Sequence, residues 1–315
     1  MRTNRAIVLS LLFASIIIVI PWEVIRGEDF HDKTNYFNYA LYGINRLEYV
    51  SFDSLFSYIF NEWLWHFIIL NVNKYITYTY FFNGVSILSL FSMAFYLLKR
   101  QSIYSLILLV NPLVINLVMS QYRISFAMSI VLLAIHIQRF KKLKFLLIFI
   151  STLIHSSVLI FIFVYLAILI AKKILYRQPK IYLFVLVLMG LSISMIMSGY
   201  VDIILDAVGD RRADYEIDNV SSSLSYLSFW ILNFFILLLY YFRRPINNLN
   251  DSVSIIVLSN ITFNVVFGGY STRVLAVMFP ILMNTNLRIS AYYKILIFMV
   301  FSVYTCLQWV YWLNY

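Results

Sequence analysis

Apolar positions in this chain come in continuous runs instead of alternating with polar ones. "AIVLSLLFASIIIVI" (6–20), "FFNGVSILSLFSMAFYLL" (81–98) and "SVLIFIFVYLAILIA" (157–171) show no period of two. Runs of about 17–25 apolar residues are long enough to cross a bilayer as helix, whereas barrel strands would be short and alternating. The pattern predicts spans near 6–22, 76–98, 102–119, 123–138, 181–199, 225–242, 252–267, 274–287 and 295–313. The expected fold class is all-α: a polytopic transmembrane helical bundle of about 10–11 membrane segments with helical external loops. The first run resembles a signal peptide, but "PWEVIRGEDF" follows it with no small-residue cleavage site, so it is read as a retained helix. No internal repeat or interdomain linker interrupts the chain, which is expected to be one membrane domain over 1–315.

Composition supports this reading: 62% of residues are hydrophobic and 12% charged, against about 25% charged in soluble domains. A single cysteine, Cys306, excludes an intrachain disulfide or a cysteine-based metal site. The net charge of +10 would suggest nucleic acid in a soluble protein. Here topology accounts for it, and no nucleic-acid partner is expected.

The charges divide by sign. Seven of fourteen acids lie between Glu23 and Glu62 and six more between Asp202 and Asp218, leaving only Asp251. Sixteen of twenty-four bases fall in six short clusters at 1–5, 99–100, 138–144, 171–180, 243–244 and 288–294. Lysine and arginine mark cytoplasmic loops. The N-terminus is therefore expected inside, and the segments 23–75 and 200–224 outside. Only 145–171 fails to alternate, because basic clusters flank both of its ends. About 27 residues cannot cross twice, so a broken or re-entrant helix pair with its break at "LIHSS" is expected, the alternative being one long tilted helix with Lys172 and Lys173 snorkelling outward. Such backbone is tolerated where protein or a wet cavity surrounds it.

Eight bases stand apart from these clusters; four of them lie in the first acidic segment or just beyond it, and the other four are Arg123, Arg273 and the pair Arg211 and Arg212. An arginine at membrane depth costs about 2.5–3.5 kcal/mol on insertion scales. Arginines at a span's edge also snorkel to lipid phosphates. No acid lies near Arg123 in the sequence, so its expected counter-ion is an anionic ligand. Guanidinium grips phosphate in planar, bidentate geometry, and four such groups on one side point to a lipid-linked diphosphate. His155 sits at the expected break, where it can donate to a diphosphate or accept a proton, although a lone histidine is more often a packing residue. His31, His66 and His136 show no metal-ligand spacing, and neither a metal nor another cofactor is expected. The first external loop mixes carboxylates with aromatic rings. Asp29, Asp32, Tyr36, Tyr39 and Glu62 are its candidates for binding sugars or, through a carboxylate, deprotonating an attacking hydroxyl.

The order of these features resembles the EpsG-like, Wzy-type membrane polymerases of bacterial exopolysaccharide and O-antigen synthesis. The resemblance runs through "DFHDKTNYFNYA", "NEWLWHF", "QYRISFAMSIVLLAI", "FISTLIHSSVLIFIFVYL" and "STRVLAVMFPIL". It is one of order and hydropathy, most distinctive from Arg123 to Tyr165. It implies transfer of a growing glycan from undecaprenyl diphosphate to a sugar hydroxyl of another undecaprenyl-diphosphate-linked repeat unit. The reaction would take place at the outer face of the bacterial inner membrane, without a metal. Partners so implied are the lipid-linked oligosaccharides, membrane lipids, a chain-length regulator and a flippase. Arg123, Arg273, Arg211 and Arg212 would hold diphosphates, Asp29, Tyr36 and Tyr39 would position sugars, and Glu62, Asp32 or His155 would be the base. A lipid-linked oligosaccharide transporter or an O-antigen ligase would use similar features, although a transporter often shows repeated halves. An acyltransferase would need histidine spacing that is missing here.

Overall fold

The computed structural model describes residues 3–45, 47, 48, 50, 52, 54–175, 177–200, 203, 224–267 and 271–314. These are helical, with no strand among them, so the protein is a polytopic helical bundle. They fall into two compact units. The first holds the described residues of Met1–Ile160 and Tyr311–Tyr315, the second those of Phe161–Ile204 and Asp214–Val310.

The first unit begins with α1 (Thr3–Val19), the short α2 (Trp22–Arg26), α3 (His31–Tyr42), α4 (Leu55–Phe60) and α5 (Trp63–Val72). Its central element is α6 (Tyr78–Leu98), 67% of whose apolar stretch is buried. A 3₁₀ helix (Ile103–Leu109) and α7 (Pro112–Ser120) lead to α8 (Tyr122–His136) and α9 (Lys141–Ile154). Serines knit α6 to its neighbours: Ser86 Oγ donates to the Val118 carbonyl at 2.6 Å, and Ser129 Oγ to Ser89 Oγ at 3.0 Å. Small residues let membrane helices approach, and their hydroxyls bond across the interface.

Three contacts fix the direction of α8. Phe82 packs on Tyr122 at 4.6 Å, Ser89 meets Ser129, and Phe95 packs on His136 at 4.9 Å. The offset stays near forty residues, so α6 and α8 run parallel. The crossover that parallel helices need is the segment from the 3₁₀ helix to α7. It was expected as one continuous span over 102–119, but it bends by 71°. Pro112 disfavours helical backbone at Asn111. Asn111 is extended, and its side chain instead caps α7 by accepting from the Leu113 amide at 2.9 Å. α8 and α9, 15 and 14 residues long, pack against each other and are joined by the turn at 137–140. At 1.5 Å per residue α9 returns along about the length α8 descended, which brings its end back to the level of Arg123.

The second unit contains most of α10 (Ser157–Ile174), then α11 (Pro179–Gly199), α12 (Leu224–Phe242), α13 (Leu249–Phe267), α14 (Ser271–Arg288) and most of α15 (Ala291–Asn314). α13 is its centre, packing on α11, α12 and α14. α11 and α13 are parallel and close: Tyr182 bonds Ser252 at 2.8 Å, Ser259 Oγ donates to the Val187 carbonyl at 2.8 Å, and Ser194 bonds Asn264. Gly190 permits this, since a Cβ there would lie 2.5 Å from the Ile256 carbonyl oxygen. α13 begins three residues earlier than the expected span at 252, which draws Asp251 into its buried first turn. There Asp251 meets Thr285 Oγ1 at 3.3 Å and Arg288 at 3.4 Å.

Five described helices, α6, α10, α11, α13 and α15, are long and apolar enough to cross a membrane, and the bent pair makes six. The other expected spans correspond to shorter apolar helices, such as α1 and α8, or to α14, which carries Arg273 and Arg288.

Candidate functional site

Three breaks in helical structure converge in the first unit. Between α4 and α5, Glu62 takes a left-handed conformation, φ 54°, the one positive φ among described non-glycine residues. Left-handed backbone in an L-residue is strained and persists where surroundings over-determine it. Between α7 and α8, Gln121 leaves helical geometry and places Arg123 in the first turn of α8. After α9, His155 becomes extended, φ −148° and ψ 118°, before α10 starts at Ser157.

The side chains at these breaks meet. Glu62 Oε2 and Arg123 Nη1 are 2.5 Å apart. Glu62 Oε1 accepts from both the Ser156 amide and the Ser156 hydroxyl at 3.3 Å, and lies 3.3 Å from His155 Nδ1. Glu62 is 1% exposed, against 19% for the Arg123 side chain and 14% for that of His155. A buried carboxylate needs this density of partners, because desolvating an uncompensated charge costs several kcal/mol. Arg123's counter-ion is therefore an acid of the chain itself, distant in sequence, and the expectation of a ligand as its only counter-ion is corrected.

The ring of His155 has a defined polarity. The Ser157 amide donates to Nδ1 at 3.1 Å, so in the neutral imidazole Nδ1 holds the lone pair and Nε2 the proton. Nδ1 also faces Glu62, so a protonated ring would exchange the amide contact for an ion pair with that carboxylate.

An aromatic cluster joins α3 to this site. Tyr36 packs edge-on against Trp65 at 5.5 Å, Tyr122 at 5.9 Å and Tyr39 at 6.4 Å. Tyr122 immediately precedes Arg123, and Trp65 lies one turn after Glu62. Tyr36 thus has a packing role beside any contact with sugar. Asp32, half-buried, lies in the first turn of α3, and Asp29 is exposed just before it. Arg273 is exposed in the first turn of α14, in the second unit. Arg211 and Arg212 lie outside the described residues, as does most of the segment 200–224. Glu62, Arg123 and His155 are the expected site residues that the structure joins directly. Ser156 is the member that sequence reasoning passed over, its only signal being adjacency to His155.

The EpsG family model matches residues 6–311. The chain belongs to the EpsG family. The match spans both units and every member of the cluster. Membership gives this chain a polysaccharide polymerase-type role in general. No curated protein and no solved structure matches it.

Proposed function

We propose that this EpsG-family protein polymerises lipid-linked repeat units. It transfers a growing glycan from undecaprenyl diphosphate to a sugar hydroxyl of another undecaprenyl-diphosphate-linked unit, at the outer face of the inner membrane. The acceptor oxygen bonds to the anomeric carbon, the anomeric carbon–phosphate oxygen bond breaks, and its electron pair leaves with the lipid diphosphate. The hydroxyl proton passes to a base among Glu62, His155 and Asp32. Preorganised positive charge aimed at a departing anion lowers such a barrier without solvent reorganisation, and arginine supplies that charge here.

The observation that carries the reading is the donor set gathered around one anion: the Arg123 guanidinium and the Ser156 amide and hydroxyl, with the His155 ring beside them. An arginine beside the amide that leads into a helix is anion-binding chemistry. Both substrates carry long lipid tails, which suits a scaffold of apolar helices. Arg273, and Arg211 with Arg212, are proposed to hold diphosphate as well, with Asp29, Tyr36 and Tyr39 positioning sugars.

The test is complementation of a deletion strain. Compared at matched levels of inserted protein, Arg123→Ala is expected to collapse the surface glycan from a ladder to single repeat units. A normal ladder would remove Arg123 from the mechanism, and complete loss of even the single unit would indicate a ligase.

A further inference from the structure

The anion held by this donor set is the protein's own. Glu62 occupies it with both oxygens, one on Arg123 and the other on Ser156 and His155. A base must reach an acceptor hydroxyl, and a carboxylate that is 1% exposed and held on both oxygens does not. The donors in turn are those a phosphoryl group would use: a guanidinium, a main-chain amide at the entrance to α10 and a hydroxyl, beside an imidazole whose Nδ1 donates once the ring is protonated. One carboxylate therefore blocks the anion site, and the anion site sequesters that carboxylate.

We infer that the Glu62 carboxylate is an internal stand-in for the substrate's diphosphate, displaced when the lipid diphosphate binds and thereby freed to act as the base. This rests on the diphosphate-site reading above. The exchange is favourable in charge, because a diphosphate brings more negative charge to Arg123 than the carboxylate it replaces. Glu62 also sits at φ 54°, left-handed backbone that is strained in an L-residue. Once free, Glu62 takes the proton of the acceptor hydroxyl as that oxygen bonds to the anomeric carbon and the diphosphate departs. Glu62 is then neutral, and it surrenders the proton to solvent as it returns to Arg123. Coupling base release to diphosphate binding keeps the base out of contact with water until a glycosyl donor is seated.

Binding of farnesyl diphosphate and of inorganic diphosphate to the purified full-length chain in nanodiscs tests this, with thermal stability measured alongside. Glu62→Gln is expected to bind farnesyl diphosphate at least about tenfold tighter than the wild type, equivalent to about 1.4 kcal/mol, while making no polymer. Glu62→Gln combined with Arg123→Gln should lose that gain. Preference for the farnesyl compound identifies a lipid headgroup as the ligand, and equal affinity identifies diphosphate alone. On the wild type, coupling of an amine to Glu62 by carbodiimide, read by peptide mass spectrometry, is expected to rise when farnesyl diphosphate is present. Wild-type binding with neither tightening in Glu62→Gln nor increased labelling of Glu62 overturns the displacement while leaving the diphosphate site standing. Failure of both probes to bind wild type and variant overturns the site and the displacement together. The labelling measurement decides if Glu62→Gln does not fold.

Discussion

At the scale of single residues, the Glu62–Arg123 contact sets a thermodynamic trap. Removing one member strands the other: Arg123→Ala leaves a carboxylate that is 1% exposed without its nearest cation. Breaking a buried pair from one side costs about 3–5 kcal/mol, whereas replacing both members is often near neutral. Arg123→Ala is therefore expected to lower the unfolding temperature in detergent clearly, and Arg123→Ala with Glu62→Gln to recover most of the loss. Equal destabilisation by the single and double variants would show that the pair is not coupled. Each member was legible in the sequence on its own, since an acid opening an aromatic run, an arginine opening an apolar one and a histidine in lipid all violate their surroundings. Their pairing was not legible, because nothing local says that position 62 meets position 123. Ser156 could not be singled out because serines are common in these helices, and its role depends on the chain leaving helical geometry at His155.

Among elements, close approach decides how the bundle packs, and Gly190 is the sharpest case. An added Cβ would lie 2.5 Å from both the Ile256 carbonyl oxygen and Ser259 Cβ. α11 and α13 would have to separate, stretching the Ser259–Val187 and Tyr182–Ser252 bonds that hold them in register. Gly190→Ala is expected to destabilise by about 1–3 kcal/mol, as overpacking does, and Gly190→Leu to prevent accumulation of folded protein. Size-exclusion profiles and thermal melts of the two variants measure this, and an unchanged melt for Gly190→Ala would refute the close contact. Most helices were readable from hydropathy because lipid demands long apolar runs. Their interruptions were less so. The stretch 102–119 is apolar enough to read as one span, yet the Asn111–Pro112 pair turns it through 71°. The span expected from residue 252 left Asp251 outside it, but α13 starts earlier and buries Asp251 beside Thr285.

For the whole molecule, the proposed reaction requires the site and the basic turn to face opposite sides of the membrane. α8 supplies the measuring rod within the first unit: Arg123 is in its first turn and His136 ends it, about 20 Å away at 1.5 Å per residue. Beyond His136 come Arg139, Lys141, Lys142 and Lys144, and Arg100 at the end of the parallel α6 lies 3.3 Å from His136. Positive charge thus gathers at one end of these helices, while Glu62 and the half-buried Asp32 belong to the other, joined to it through Tyr36 and Tyr122. Because lysine and arginine resist export across the membrane, this polarity predicts a basic turn in the cytoplasm and a site facing outside. A single-cysteine series tests it, starting from Cys306→Ser, since Cys306 is the only cysteine of the chain. With a membrane-impermeant maleimide, Asp29→Cys is expected to label in intact cells, and Lys141→Cys only after the membrane is opened. The reverse pattern would put the Glu62–Arg123–His155 cluster at the cytoplasmic end of α8. Lipid-linked units assembled for export would then have no access to it from outside, and the polymerisation chemistry proposed here would have no substrate on its side of the membrane.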